Sequence, residues 1–387
     1  METIKQIDER YVAHTYKRFP VEIASGKGSL YFDTNGKRYI DMGSGIGVTA
    51  FGLCDEIWQA AVTEQLSKVQ HTSNLYYTEP CANLAALLCE KTGFSRVFFS
   101  NSGAEANECA IKVARKYAYD KKGVTDPVIV TLVSSFHGRT HTTLAATGQE
   151  HFHKLFNPLT PGFCHIAVGD IDALTALVEK GNVAGILMEC IQGEGGVYVL
   201  DREFVNAVAA LCEREDVLLM IDEVQTGNGR TGTLYAYEQY GISPDVVSTA
   251  KGLGGGLPIG ATLLSDKVKD TLGYGDHGST FGGNPVASAG AVSIIERLTP
   301  EFLATVKAKG EHIKKKLEGQ SCILSVSGLG LMIGIETEKP ASEVIRACME
   351  KGVLCLTAKT KVRLLPALNI PDEILDEALD IIIEACH

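Results

Sequence analysis

Five short segments of this chain, Val97 to Ser100, Val128 to Val133, Gly185 to Glu189, Val217 to Asp222 and Val246 to Thr249, are apolar almost throughout. A strand without alternation of apolar and polar residues has no face for water. Helical stretches, among them Ala104 to Lys122, Ile171 to Lys180 and Glu203 to Glu215, stand between these segments. That alternation predicts an α/β fold with a largely parallel sheet covered on both faces. Ahead of it, two strand-like runs in Leu30 to Asp41 flank Asn35-Gly36, a strong local signal for a hairpin. Past Asn284-Pro285 come a helical stretch to Arg297, the helix Glu301 to Leu317, apolar runs Ile323 to Ile335, Val353 to Leu356 and Val362 to Leu365, and a terminal helix. These predict a smaller α+β unit.

The expected division is residues 1–49 as an N-terminal segment whose hairpin packs with the small domain, 50–285 as the large domain, and 286–387 as the small one. A chain of 387 residues suits two domains at about 150 residues or more each. No repeat, low-complexity tract or Pro-rich linker separates them, so they are expected to share a cleft. With 36 Lys and Arg against 47 Asp and Glu, the net charge is −11, which repels a phosphate backbone and argues against nucleic acid as a partner. The eleven cysteines form no Cys-x-x-Cys pair and are odd in number, which reads as buried thiols in a reducing compartment. The start of the chain does not read as a leader, and no apolar run is long enough to cross a bilayer, so the expectation is a cytoplasmic protein without a membrane partner.

The residues that carry chemistry lie just past the strand-like runs. Asn101 to Glu108 follows one of them and opens a helix, placing Gly103 and Ala104 where free N–H groups and the helix dipole favour an anion. An N-cap by Ser102 with acidic first-turn residues explains the same run without a ligand. Asp222 ends an apolar strand, where carboxylates in open α/β sheets face a ligand crevice, and Gln225 follows three residues later. Lys251 precedes four glycines in five positions, for which close approach of a cofactor is the expected reason. A lysine so placed can form a Schiff base with an aldehyde, and a carboxylate can keep a pyridine nitrogen protonated, a pairing that suits pyridoxal phosphate. The order of residues excludes a phosphate-binding P-loop.

Phe136 and Arg139 lie in Ser135 to Thr140 and offer a ring to stack on a pyridine and a guanidinium to grip a carboxylate. The alternative is a core phenylalanine and an exposed arginine. His137 and His141 stand at helical spacing, but no acidic or cysteine ligand follows closely, so no metal is expected. Glu194 sits in a glycine-rich loop and could face a cation, with Arg363 in an apolar run as candidate partner. On sequence alone these two read more readily as independent surface charges.

Taken together, Asn-Ser-Gly-Ala-Glu-Ala-Asn-Glu, Phe-His-Gly-Arg-Thr, Ile-Gln-Gly-Glu-Gly-Gly, Asp-Glu-Val-Gln-Thr-Gly, Ala-Lys-Gly-Leu-Gly-Gly-Gly and Ser-Thr-Phe-Gly-Gly-Asn-Pro resemble the class III pyridoxal-phosphate aminotransferases. The likeness runs in order from about Tyr11 to near the C-terminus. It implies the aspartate-aminotransferase-like architecture (fold type I), with a mostly parallel seven-stranded sheet plus a smaller α+β domain, and a homodimer with active sites at the subunit interface. By position, Lys251 would bind the cofactor aldehyde, Asp222 would meet the pyridine nitrogen and Gln225 the ring hydroxyl. Gly103 and Ala104 would hold the phosphate, Phe136 would stack on the ring, and Thr280 would add a phosphate contact from the partner subunit. Arg139 and Ser279 would touch the amino donor, and Glu194 would mask or release Arg363 so that one site serves two substrates.

The reaction so implied is ping-pong transfer from N2-acetyl-L-ornithine to 2-oxoglutarate, giving N-acetyl-L-glutamate 5-semialdehyde and L-glutamate, as in arginine biosynthesis. Ornithine, succinylornithine, succinyl-diaminopimelate and 4-aminobutyrate are alternative donors; an aminomutase and a non-catalytic cofactor-binding protein are more distant rivals. Two positions depart from the family pattern: Cys190 stands where proline is usual, and Asn228 where methionine or another residue is common. Both are expected to change loop geometry more than reaction type.

Overall fold

The computed structural model describes residues 3–387; the first two residues of the expected N-terminal segment lie outside them. At the centre is a seven-stranded sheet whose spatial order is Arg96–Ser100, Gly260–Leu264, Val246–Thr249, Leu218–Asp222, Val183–Met188, Val128–Leu132 and Phe163–Ile166. All pairings are parallel except those of Gly260–Leu264, which runs antiparallel to both neighbours. The five expected strands are present within two residues of their expected ends, and the mostly parallel α/β sheet is the observed one.

The unbroken apolar pattern has its reason in the two covers of this sheet. Leu218, Met220, Val246 and Leu264 face helix Gly103–Lys122, packing on Cys109, Ala110, Val113, Ala114 and Tyr117. Leu219, Ile221, Val247 and Leu263 face the opposite way, into a core that includes Phe204, Val205, Val208 and Leu211 of helix Arg202–Glu215. With both faces dry, polar side chains are tolerated only where a partner meets them, as at Ser248 and Asp222, and each fully buried aliphatic contributes roughly 1.5–3 kcal/mol. Helix Pro285–Ile295 packs against Glu56–Lys68 and Glu79–Thr92 on the same side of the chain's main core.

The C-terminal part forms a separate antiparallel sheet, ordered Ile323–Leu329, Met332–Thr337, Lys361–Leu364 and Leu356–Ala358. The run Ile323 to Ile335 is therefore two strands joined at Gly330, whose φ is +54°. The N-terminal hairpin, with Ile23–Lys27 added at its edge, pairs through Arg38–Asp41 with Val353–Leu354, so residues about 310 positions apart share one sheet.

Because the parallel strands all point one way, Ser100, Leu132, Met188, Asp222 and Thr249 end along one rim of the sheet. The antiparallel strand enters at that same rim: a Cβ on Gly260 would lie 2.3 Å from Ser102 O and 2.6 Å from Ser100 Oγ. Gly260→Ala must therefore displace the turn that starts helix Gly103–Lys122. A loss of about 1–3 kcal/mol of unfolding free energy is expected in urea denaturation, as for other overpacked sites.

Candidate active site

Along that rim the loops enclose a cavity of about 440 Å³. Its lining includes Ser102, Gly103, Ala104, Asn107, Phe136, His137, Arg139, Glu189, Asp222, Gln225 and Lys251. Thus the runs around Gly103, Phe136, Asp222 and Lys251 meet in one place, although they span about 150 residues of chain, whereas Glu194, Ser279, Thr280 and Arg363 are not on its wall.

At one part of the wall, helix Gly103–Lys122 presents its N-terminus. Ser102 is its N-cap, accepting from the Glu105 N–H at 3.2 Å. The Glu105 carboxylate folds back to accept from Asn101 N at 2.6 Å and Asn101 Nδ2 at 2.8 Å. The cap is thus observed and satisfies one N–H, while the N–H groups of Gly103 and Ala104 have no intrahelical acceptor.

Asp222 is buried at 3% exposure and held from three directions. Its Oδ2 accepts from Asn107 Nδ2 at 2.7 Å and lies 2.8 Å from His137 Nδ1; its Oδ1 accepts from Val224 N at 3.0 Å. Asn107 is fixed in turn, donating to the His137 carbonyl at 2.9 Å and accepting from Ser248 Oγ at 2.5 Å. Sequence reasoning singled out neither Asn107 nor His137 for this task. His137 was weighed only as a metal ligand, and no group of three or more potential ligands exists among the described residues. A sequence signal did exist for Asn107: an asparagine in the midst of the apolar face of a helix requires a polar partner.

Lys251 follows strand Val246–Thr249 and opens a short 3-10 turn to Leu253 with a left-handed backbone, φ 47°. Burial lowers its amine below the ordinary lysine range; Glu194 opposes this, Arg363 reinforces it, and Asp222 and Glu189 oppose it. The glycines after it have a different reason from the expected approach of a cofactor. A Cβ on Gly254 would lie 2.0 Å from Leu257 O, and one on Gly255 2.5 Å from Ile294 Cδ1. The chain itself makes the close approach there; among Gly252 and Gly254 to Gly256, Gly256 is the one that lines the cavity.

Glu194 and Arg363 are joined, Nη1 to Oε1, at 2.6 Å. Arg363 is 3% exposed, and the same Nη1 donates to Gln225 Oε1 at 3.1 Å. Burial disfavours the Glu194 carboxylate, yet the charge and hydrogen bond of Arg363, with help from Lys251 and Gln225, hold its pKa below the usual range. The reading left open by sequence is thereby decided for the pair: the charges are partners, and Gln225, expected to meet the ring hydroxyl, also accepts from Arg363. Glu189, also on the cavity wall, is pushed well above the normal range by burial and the neighbouring Asp222 charge, against backbone donation from Phe136 and Gly193.

Phe136 is half buried on the cavity wall. Arg139 is exposed, its guanidinium 5.9 Å from the Phe136 ring centre and 4.6 Å from that of Phe152, with no carboxylate in ion-pair range among the described residues. Ser279 accepts from Asn101 Nδ2 at 3.2 Å and from Gly282 N at 2.9 Å, whereas Thr280 is exposed, and neither lines the cavity of its own chain. Cys190 is buried beside the sheet with its carbonyl accepting from Tyr240 Oη at 3.2 Å. The remaining cysteines are free thiols, most of them buried, with Cys54 exposed.

The arrangement has the parts that an anionic, aldehyde-bearing pyridine requires: open helix N–H groups, a fixed aspartate, an aromatic wall and a buried lysine of lowered pKa. Such a site on this sheet defines the aspartate-aminotransferase-like enzymes of fold type I. The sequence matches the family Aminotransferase class-III over residues 11–386. It is similar to acetylornithine aminotransferase of Haemophilus ducreyi, 51% identical with 98% of this chain and 97% of that protein covered, and to that of Methanocaldococcus jannaschii, 43% identical with 97% and 95% covered. Among solved structures, ornithine aminotransferase from Toxoplasma gondii superposes with a TM-score of 0.95 at 32% identity over 100% of this chain and 95% of that one. N-acetylornithine aminotransferase from Stenotrophomonas maltophilia superposes at 0.84 with 36% identity, covering 98% and 97%. The chain belongs to the class III aminotransferases and is a pyridoxal-phosphate-dependent transaminase.

Beside the site, Glu223 is fully buried, accepts from Thr226 Oγ1 at 2.5 Å and Tyr237 N at 2.8 Å, and is pushed up to about 7 by burial. Its raised folded-state pKa contributes stability that is present below the unfolded value of 4.5 and is lost as pH rises through about 7. Denaturation of Glu223→Gln and wild type at pH 5 and pH 8 is expected to show the variant gaining on wild type at the higher pH, on the order of 1–3 kcal/mol.

Proposed function

We propose that this enzyme transfers the amino group of N2-acetyl-L-ornithine to 2-oxoglutarate, yielding N-acetyl-L-glutamate 5-semialdehyde and L-glutamate in the cytoplasm. The single observation that carries a two-substrate reaction is the Glu194–Arg363 pair at 2.6 Å, bordering the lysine. An arginine masked by a carboxylate presents no net charge to the uncharged side of an acylated donor. Turning Glu194 aside exposes Arg363 to a second carboxylate, as 2-oxoglutarate and glutamate require. Acetylornithine as donor is supported by the printed names of the relatives at 51% and 43% identity.

In this reading Gly103 and Ala104 bind the cofactor phosphate, Asp222 meets the pyridine nitrogen, Gln225 the ring hydroxyl, and Phe136 stacks on the ring. Lys251 is the covalent attachment point. When bound, the cofactor withdraws electrons from the substrate carbon that loses its proton. Lys251 Nζ would be the group that takes up and returns that proton, and its lowered pKa favours the free amine this needs. Asn107 and His137 keep Asp222 in place throughout. Arg139 and Ser279 orient the amino donor.

A homodimer completes the proposal, with the partner subunit's Thr280 adding a phosphate contact. Supporting it, Leu75, Tyr76, Tyr77, Tyr274 and Phe281 are all more than half exposed in the single chain, an aromatic surface that asks for cover. Steady-state assays of a donor panel with 2-oxoglutarate test the reading in wild type and Arg363→Ala. We expect kcat/KM for N2-acetylornithine to exceed that for ornithine, and Arg363→Ala to raise KM for 2-oxoglutarate about 10- to 100-fold while changing that for the donor far less. Equal or better use of free ornithine overturns the donor assignment.

A further inference from the structure

Asn228 lies in the loop that follows Asp222, is 2% exposed and has a left-handed backbone with φ 56°. Its Nδ2 donates to Thr249 Oγ1 at 2.9 Å and to the Ala250 carbonyl at 3.0 Å, the two residues immediately before Lys251. Two facing acceptors leave only one orientation for the amide. Its Cβ would stand 3.3 Å from a Cβ on Gly252, so the side chain flanks the lysine on both sides along the chain. Beyond the turn, Trp58 Nε1 donates to the Gly254 carbonyl at 3.1 Å.

This bracing has a target. Lys251 is itself left-handed, a conformation that is unfavourable for a non-glycine residue and persists only where neighbours enforce it. The brace also has a cost of its own, since Asn228 Oδ1 is buried without a hydrogen-bond partner. An apolar side chain would avoid that orphan acceptor. Asparagine is the residue that tolerates positive φ and supplies two donors on one atom.

We propose that Asn228 is a positioning residue for transamination: by clamping the Thr249–Ala250 segment it sets the direction from which Lys251 presents Nζ to cofactor and substrate. The inference rests on the assignment of Lys251 to the cofactor aldehyde. The charged groups that face Lys251 are Glu194, Arg363, Asp222 and Glu189, and Asn228 hydrogen-bonds to none of them. Replacing Asn228 by an uncharged residue therefore changes the aim of the amine and leaves its charged surroundings in place.

The test uses holoenzyme of Asn228→Gly, which suits the positive φ, and Asn228→Leu, which keeps the volume; both lack the donors. The pH titration of the visible absorbance of the lysine-bound cofactor is followed, with kcat and KM for donor and acceptor. Both variants are expected to move the titration midpoint in the same direction by about 0.5 unit or more. In both, kcat is expected to fall about tenfold with each KM within about twofold. A wild-type midpoint in either variant overturns the proposal, even where kcat falls, because a merely structural role would lower activity without retuning the lysine. Lys251→Ala serves as the separating control: if borohydride reduction still fixes the cofactor to that variant's polypeptide, the lysine assignment fails instead of the role of Asn228.

Discussion

A carboxylate at the end of a buried strand is unfavourable unless every direction it faces supplies a donor. Asp222 meets that demand through Asn107, His137 and the Val224 N–H, and in doing so it ties together three elements distant in sequence. Asn107 belongs to the helix whose N-terminus opens on the cavity, His137 to the loop that carries Phe136 and Arg139, and Ser248, which donates to Asn107, to the strand that leads to Lys251. Displacing any one of these groups leaves a buried polar atom unpaired, so they hold each other in register. The helix start at Gly103, the aromatic wall and the lysine are placed by one hydrogen-bonded cluster.

The second electrostatic centre behaves differently. Glu194 is about one-third exposed at the side chain while Arg363 is almost wholly buried, so of the two it is the glutamate that has room to swing. Arg363 enters from the C-terminal sheet, where Lys361–Leu364 is paired on both sides, and that pairing holds its backbone. A fixed cation with a mobile mask is the physical requirement for one pocket to take substrates of unequal charge. Gln225 lies on the cavity wall beside Asp222 in sequence and accepts from Arg363.

Much of this was legible from residues alone, for identifiable reasons. Strands buried on both faces leave an unbroken apolar run, and loops after such strands announce themselves by polar and glycine residues; hence the sheet and the positions of Asp222, Lys251, Phe136 and Gly103 could be read directly. Gly260–Leu264 and Phe163–Ile166 escaped notice because a short strand beside longer motifs has no periodicity of its own. The partnership of Asp222 with His137 spans 85 positions and depends on which way two loops turn, which no local pattern encodes. The glycines after Lys251 were read correctly as sites of close approach but with the wrong neighbour, since Leu257 and Ile294 occupy the space. Arg139 and Thr280 keep exposed side chains in the single chain, so neither local pattern nor the chain's own packing fixes the roles expected of them.

The central claim is that this convergence of strand ends makes Lys251, and no other lysine, the point at which the cofactor aldehyde is bound. Borohydride reduction of the holoenzyme followed by peptide mapping tests it most directly. The account predicts a stable cofactor mass on the peptide containing Lys251, in the loop after Val246–Thr249. A cofactor mass on a different lysine, with the Lys251 peptide unmodified, would contradict it.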